Sequence, residues 1–278
     1  MEGINLALLP PLTVVQPVDY EATVADIATR AKLENLSPSD PAYRVALAAA
    51  YRETLVRHDA NEQALGLMLA FANGSQLDHL GATYYRDADG LPVLRFEGES
   101  DSDYRDRLQL SPEGLSVAGP DGAYIFNAKS AHPDVKDVDV ASPAPVEVVL
   151  TILSHTGSGV PTDEVLAAVH EYVWPRRPFT DKVTEQAAEI VRYSVNATLT
   201  MRRGPDPEVA RQAALSAALL YARQRHVLGG WVTDSGLDAA LTVEGVELVS
   251  LNGFQNIQCS KTQAPYCEGV TVSIGGYV

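Results

Sequence analysis

The stretch Ile190-Val191-Arg192-Tyr193-Ser194-Val195-Asn196-Ala197-Thr198-Leu199-Thr200-Met201 decides the reading of the fold. Val191, Tyr193, Val195, Ala197, Leu199 and Met201 recur at every second position, the period of a β-strand with one covered face. Directly after it, Pro205-Asp206-Pro207 opens a long helix to about His226, stopped by Gly229-Gly230. Thr233 caps a short helix through Leu241, and Val246 to Leu251 and Val270 to Ile274 read as strands. The preceding block has a similar texture. Ser100-Asp101-Ser102-Asp103 caps a helix through Leu110, and Gly119-Pro120-Asp121-Gly122 starts another to about Ser130. Val135 to Ala141 and Val146 to Leu153 read as strands around Ser142-Pro143-Ala144-Pro145. Pro161-Thr162-Asp163-Glu164 begins a helix ending near Trp174-Pro175, and Lys182 to Ala187 is a further strand. Leu91 to Phe96 is a short strand candidate after the Asp89-Gly90 turn. The order α-β-β-α-β and then β-α-α-β-β is the α+β class, not the βαβα alternation of a nucleotide-binding sheet. It suggests two small α/β sandwiches, ferredoxin-like in order, that are distantly related copies.

The N-terminal part is helical instead. Residues 1 to 20, with Pro10, Pro11 and Pro17, read as an extended arm, after which Asp19 caps a helix from Tyr20 to Leu33. Asp40-Pro41 starts a helix to about His58, where Tyr43, Leu47, Tyr51 and Leu55 recur every four residues. Asn61 to Ala72 reads as a second helix with Leu65, Met68, Leu69 and Ala72 on one side. Each carries more apolar surface than one neighbour could cover, so Leu47, Tyr51, Leu55, Leu65, Met68 and Leu69 are candidate contacts with a partner helix. The alternative is that they form an internal three-helix core. Ser75-Gln76-Leu77-Asp78 opens a further turn through Leu80, closed by Gly81. The expected division is an arm with helices at 1–80, a middle α+β domain at 81–188 and a C-terminal α+β domain at 189–278.

Composition narrows the function. The chain has 278 residues, 21 Lys and Arg against 36 Asp and Glu, and a net charge of −15. That balance disfavours binding nucleic acid, which needs clustered basic residues. Ala213 to Ala222, the longest nearly apolar stretch, is too short to span a bilayer. The first residues lack the basic start of a secretion signal, and the expectation is a protein folded in a reducing cytoplasm. Cys259 and Cys267 read as free thiols before a disulfide.

No common catalytic motif is present. Gly114-Leu115-Ser116-Val117-Ala118-Gly119 has its second glycine one place too late for a nucleophile elbow and reads as a loop or helix start. Asp87-Ala88-Asp89-Gly90 lacks the glutamate of a calcium loop, Gly98 standing at that position, so a hairpin turn is favoured. His79 beside Asp78, and the group Asp134, Asp137 and Asp139, are the best centres for an α+β enzyme of unrecognised type. A capped surface turn and a charged strand edge are the plainer readings. An adaptor that binds one soluble partner is a third. No cofactor or metal is expected.

Longer stretches carry a resemblance. Ser39-Asp40-Pro41-Ala42-Tyr43-Arg44-Val45, Met68-Leu69-Ala70-Phe71-Ala72 and Gly74-Ser75-Gln76-Leu77-Asp78-His79-Leu80-Gly81 begin it. Glu99-Ser100-Asp101 with Tyr104-Arg105 and Arg107, and the run Leu110 to Pro120, are its densest part. Gly204-Pro205-Asp206-Pro207-Glu208 and Gly269 to Gly276 continue it. Together they resemble the baseplate assembly protein J family of contractile-tailed bacteriophages. The resemblance implies a structural wedge protein of the virion tail baseplate, assembled in the host cytoplasm. It implies a helical bundle between the N-terminal helices and a protein I-type wedge protein. It further implies contact between the later domains and a second copy of the chain, and a lysozyme-like W-type neighbour. Trp174-Pro175-Arg176-Arg177-Pro178 matches no firm family pattern.

Overall fold

The computed structural model describes residues 5–11, 14, 19–33, 35, 37, 39–204 and 206–278. Pro17, Pro38 and Pro205 lie outside the described residues. Contacts divide the chain into two compact units, Met1–Gln109 and Leu110–Val278.

The first unit is helical. After a 3-10 turn at Leu6–Leu8, helix α1 (Tyr20–Arg30) starts where the Asp19 carboxylate accepts the N–H groups of Glu21 and Ala22. Helix α2 (Pro41–Leu65) starts where Asp40 accepts from the Ala42 N–H, with proline at the first turn. Two helices expected over 41–72 are therefore one 25-residue helix followed by turns. His58-Asp59-Ala60-Asn61 contains neither Gly nor Pro, so nothing there stops the helix. The last turns are Gly66 onward. Helix α3 (Ser75–Tyr84) runs past Gly81 instead of ending there. Gly81 is buried, and a β-carbon on it would stand 1.9 Å from the Tyr104 hydroxyl, so glycine serves close packing and not termination. The strand expected at Leu91–Phe96 is reduced to a single antiparallel bridge, Arg86 to Pro92, because no second strand lies beside it among the described residues. Helix α4 (Asp101–Gly114) starts on the Ser100 hydroxyl, which accepts the Asp103 N–H at 3.1 Å. It continues through Pro112, one turn beyond the expected end.

The second unit holds two α-on-β layers. In the first, α5 (Asp121–Ala131) leads into β1 (Val135–Ala141) and β2 (Glu147–Ser154), then α6 (Asp163–Val173) and β3 (Lys182–Ala187). The sheet order is β1-β2-β3, β1 antiparallel and β3 parallel to β2, with Val148 opposite Val183 and Val138 opposite Ile152. Leu150, Ile152, Val165, Val169, Val173, Ala128 and Tyr124 close its core. In the second layer, β4 (Glu189–Met201) leads to α7 (Pro207–Arg225), β5 (Trp231–Val232), α8 (Asp234–Leu241), β6 (Val246–Leu251), β7 (Ile257–Gln258) and β8 (Gln263–Tyr277). β4 lies between antiparallel β6 and parallel β8. Its inward residues Val195, Ala197, Leu199 and Met201 are buried under Ala210, Ala214, Ala218, Leu237 and Leu241. The class is α+β. The ferredoxin-like order is not confirmed: each main sheet has three strands with one parallel pairing, not a four-stranded antiparallel sheet.

Differences in the second unit concern non-local pairing. β8 spans fifteen residues where five were expected, because β4 supplies a partner along almost all of it. The two-residue strands β5 and β7 pair with each other and carry no periodic pattern of their own. Both cysteines are free.

Candidate functional site

Helix α2 has the smallest buried share of the described α-helices. Only Ala46 and Ala50 of its 25 residues are buried. They face α1, whose Val24 and Ala28 are buried in turn, and the Tyr20 hydroxyl bonds the Leu47 carbonyl. Away from that contact, Val45 is 69% exposed and Tyr51 and Val56 are each 58% exposed. Val45, Ala49 and Val56 stand four and seven residues apart, so they share one face of the helix.

The six residues expected to meet a partner are distributed over this surface. Leu47, Tyr51, Leu55 and Leu65 lie on α2, while Met68 and Leu69 lie in the turns that follow. Tyr51 is exposed and the other five are half-buried. The reason is geometric. A four-residue step overshoots one helical turn by about 40°, so Tyr43, Leu47, Tyr51 and Leu55 wind from the side facing α1 onto the bare side. Val45, Val56 and the exposed Leu67 were missed by that stripe. The 4–7 spacing of Val45, Ala49 and Val56 was the available signal.

The densest motif of the sequence is the frame that holds this unit together. Glu99 and Arg107, whose side chains are 9% and 5% exposed, form a two-point ion pair: Nε donates to Oε1 at 2.9 Å and Nη2 to Oε2 at 2.7 Å. Arg107 Nη2 also donates to the Leu94 carbonyl, and its guanidinium lies over the Phe96 ring. The Tyr104 hydroxyl donates to the Val93 carbonyl at 2.7 Å. Arg105 ties down the turns after α2 by donating to the carbonyls of Leu69 and Ala72. Arg95 pairs with Asp78 and Asp101.

Asp78 thus serves Arg95, while the neighbouring His79 is exposed. Asp134 accepts from the hydroxyls of Ser154 and Thr156, and Asp137 accepts from the Val138 and Leu228 N–H groups. Asp87 accepts the N–H groups of Asp89 and Leu91, closing the expected hairpin turn at Gly90. Among the described residues no group of three His, Cys, Asp or Glu side chains could hold a metal ion, and no helix is long and apolar enough to cross a membrane.

Trp174-Pro175-Arg176-Arg177-Pro178 has a local role. Arg176 stacks on Tyr172 and Arg177 on Trp174, and both donate to backbone carbonyls, fixing the loop before β3.

One consequence is an acid limit on the first unit. The Gly74 N–H donates to Asp101, and with Arg95 beside it this holds the carboxyl below the usual aspartate range. A lowered folded value stabilises above the unfolded value and is lost as pH falls through the folded one. Denaturant melts should therefore weaken below about pH 4, and Asp101→Asn should flatten that dependence.

Residues 38–86 match the Baseplate J-like N-terminal domain and residues 116–187 the Baseplate J-like central domain. The chain is 37% identical to baseplate protein J of Escherichia phage P2 over 301 aligned positions, covering 99% of each chain. It belongs to the baseplate J family. A chain of the cryo-EM structure of the anti-feeding prophage baseplate, 6-fold symmetrised, aligns with a TM-score of 0.40 and 13% identity, over 61% of this chain and 42% of that one. The protein is a structural component of a phage tail baseplate, not an enzyme, and its neighbours are other baseplate proteins. The reading as an unrecognised enzyme around His79, Asp78 or the group Asp134, Asp137 and Asp139 falls with that membership.

Proposed function

We propose that the chain is a wedge protein whose N-terminal helices complete a bundle with a protein I-type partner. The observation that carries this is α2, 25 residues long with two buried, exposing Val45, Tyr51 and Val56 to water. Covering them by a partner helix gains roughly 25 cal/mol per Å² of apolar area removed from water, before association costs. Leu47, Leu55, Leu65, Met68 and Leu69 extend the contact. The division 1–80, 81–188 and 189–278 then separates labour: bundle, spacer, and contact with a second copy of the chain. A lysozyme-like W-type protein completes the neighbourhood. Assembly takes place in the host cytoplasm before the tail is finished. Work is done by interfaces with two arrangements, a closed ring and a wider one that releases the sheath.

Co-expression with the protein I-type partner tests the reading. The wild-type pair should co-purify, and Val45→Asp with Val56→Asp should abolish the complex while the free chain keeps its melting temperature. A complex that tolerates both aspartates would refute the bundle.

A further inference from the structure

One end of the first α-on-β layer presents apolar surface that its own fold leaves bare. Phe179 is 98% exposed, Val117 88% and Val146 58%. They flank one cavity of about 190 Å³, whose lining includes Gly119, Val146 and Asp181. Pro178 joins the two sides, since a β-carbon on Gly119 would stand 2.5 Å from its Cγ. The Lys182 N–H donates to the Val146 carbonyl, which sets Val146 beside the start of β3. The loop carrying Phe179 is pinned on both sides. Arg177 lies over the Trp174 ring and donates to the carbonyls of Trp174 and Asp181, and the Asp181 N–H donates to the Pro178 carbonyl. A bare aromatic on a fixed loop is the kind of residue that anchors a protein contact, because the loop needs no further ordering when a partner arrives.

We propose that this end docks a segment of another baseplate protein in which a lysine or arginine enters the cavity and an adjacent apolar residue covers Phe179. Charge complementarity selects the occupant. Asp121, Glu147 and Asp181 line the cavity, and among the described residues no lysine or arginine does. The Tyr124 hydroxyl donates to Asp181 at 2.7 Å and fixes one of its oxygens. Asp121 more than offsets the partial positive charge at the start of α5. Arg177 is engaged by its ring and carbonyls, and Lys182 is exposed outside the lining. Val140 and Val146 supply apolar walls for the methylene stem of a long basic side chain, whose head meets the carboxylates. A segment of opposite charge is favoured over a second copy of this chain, whose net charge is −15. The inference concerns residues 115–182 and does not depend on what covers α2.

Assembled particles with Phe179 replaced by the photoreactive p-benzoylphenylalanine test the proposal. Irradiation joins this side chain to whatever covers it, and mass spectrometry of the joined peptides reads the point of attachment. The expected adduct is a peptide of another baseplate protein with a lysine or arginine within about four residues of the joint, the reach of an extended segment across the cavity mouth. Glu147→Gln with Asp121→Asn removes two of the three charges and keeps the size of both side chains, so the melt of the free chain should move little. The yield of that adduct should fall about tenfold in the same variant. No adduct at position 179, an adduct on a second copy of this chain, an adduct on a segment without a basic residue, or a yield unmoved by the two neutral substitutions would each overturn the proposal. The joint is read at residue 179, so failure here leaves the α2 bundle standing, and failure of the bundle leaves this contact standing.

Discussion

Arg107→Ala should lower the unfolding free energy of the first unit by about 3–5 kcal/mol, the largest loss expected of any single truncation there. The arginine supplies both donors to a carboxylate that water barely reaches, and a third contact to the Leu94 carbonyl. Removing it leaves Glu99 buried with one remaining donor from this group, the Phe96 N–H at 2.9 Å. The stacking of the guanidinium on Phe96 and Tyr104 is lost in the same step. Chemical denaturation of the free chain measures it. A double change, Glu99→Gln with Arg107→Met, should cost less than Arg107→Ala alone, because no uncompensated charge is left inside.

Gly81→Ala should destabilise by about 3 kcal/mol, the reverse of the usual effect of alanine in a helix. A mid-helix glycine is ordinarily worse than alanine by about 0.5–1 kcal/mol. At this position the new methyl would overlap the Tyr104 hydroxyl and approach the Val93 carbonyl within 2.9 Å. Tyr104 is fully buried and bonded to that same carbonyl, so it cannot step aside without breaking the bond. Thermal melts of Gly81→Ala and of Gly81→Ala with Tyr104→Phe separate the two contributions: the second variant should recover part of the loss.

Local chemistry made much of the fold legible. Asp19, Asp40, Thr162, Asp206 and Thr233 each accept an N–H of the first turn they precede, and those five helix starts were readable from the residues alone. Strands β1, β3, β4 and β6 were legible through alternation and β-branched content. What could not be read is what depends on distant partners. Leu91 to Phe96 looks like a strand yet finds no strand to pair with, whereas Gln263 to Gly269 is one because β4 lies beside it. Gly81 has the chemistry of a helix stop, and only the Tyr104 ring, 23 positions on, assigns its real role. The candidate interface was half legible. The surplus of apolar residues on α2 is visible in the sequence, but which side α1 covers is a tertiary fact, so Val45 and Val56 emerge with the coordinates.

The reading of α2 as an uncovered surface is tested most directly by amide exchange of residues 41–65, compared between the free chain and assembled baseplates. Fraying and local opening should let these amides exchange readily in the free chain, where two of 25 side chains are buried. In the particle they should be protected by about a hundredfold or more, as expected if burial adds a few kcal/mol. Equal protection in both states would mean that the helix needs no partner, and would contradict the account.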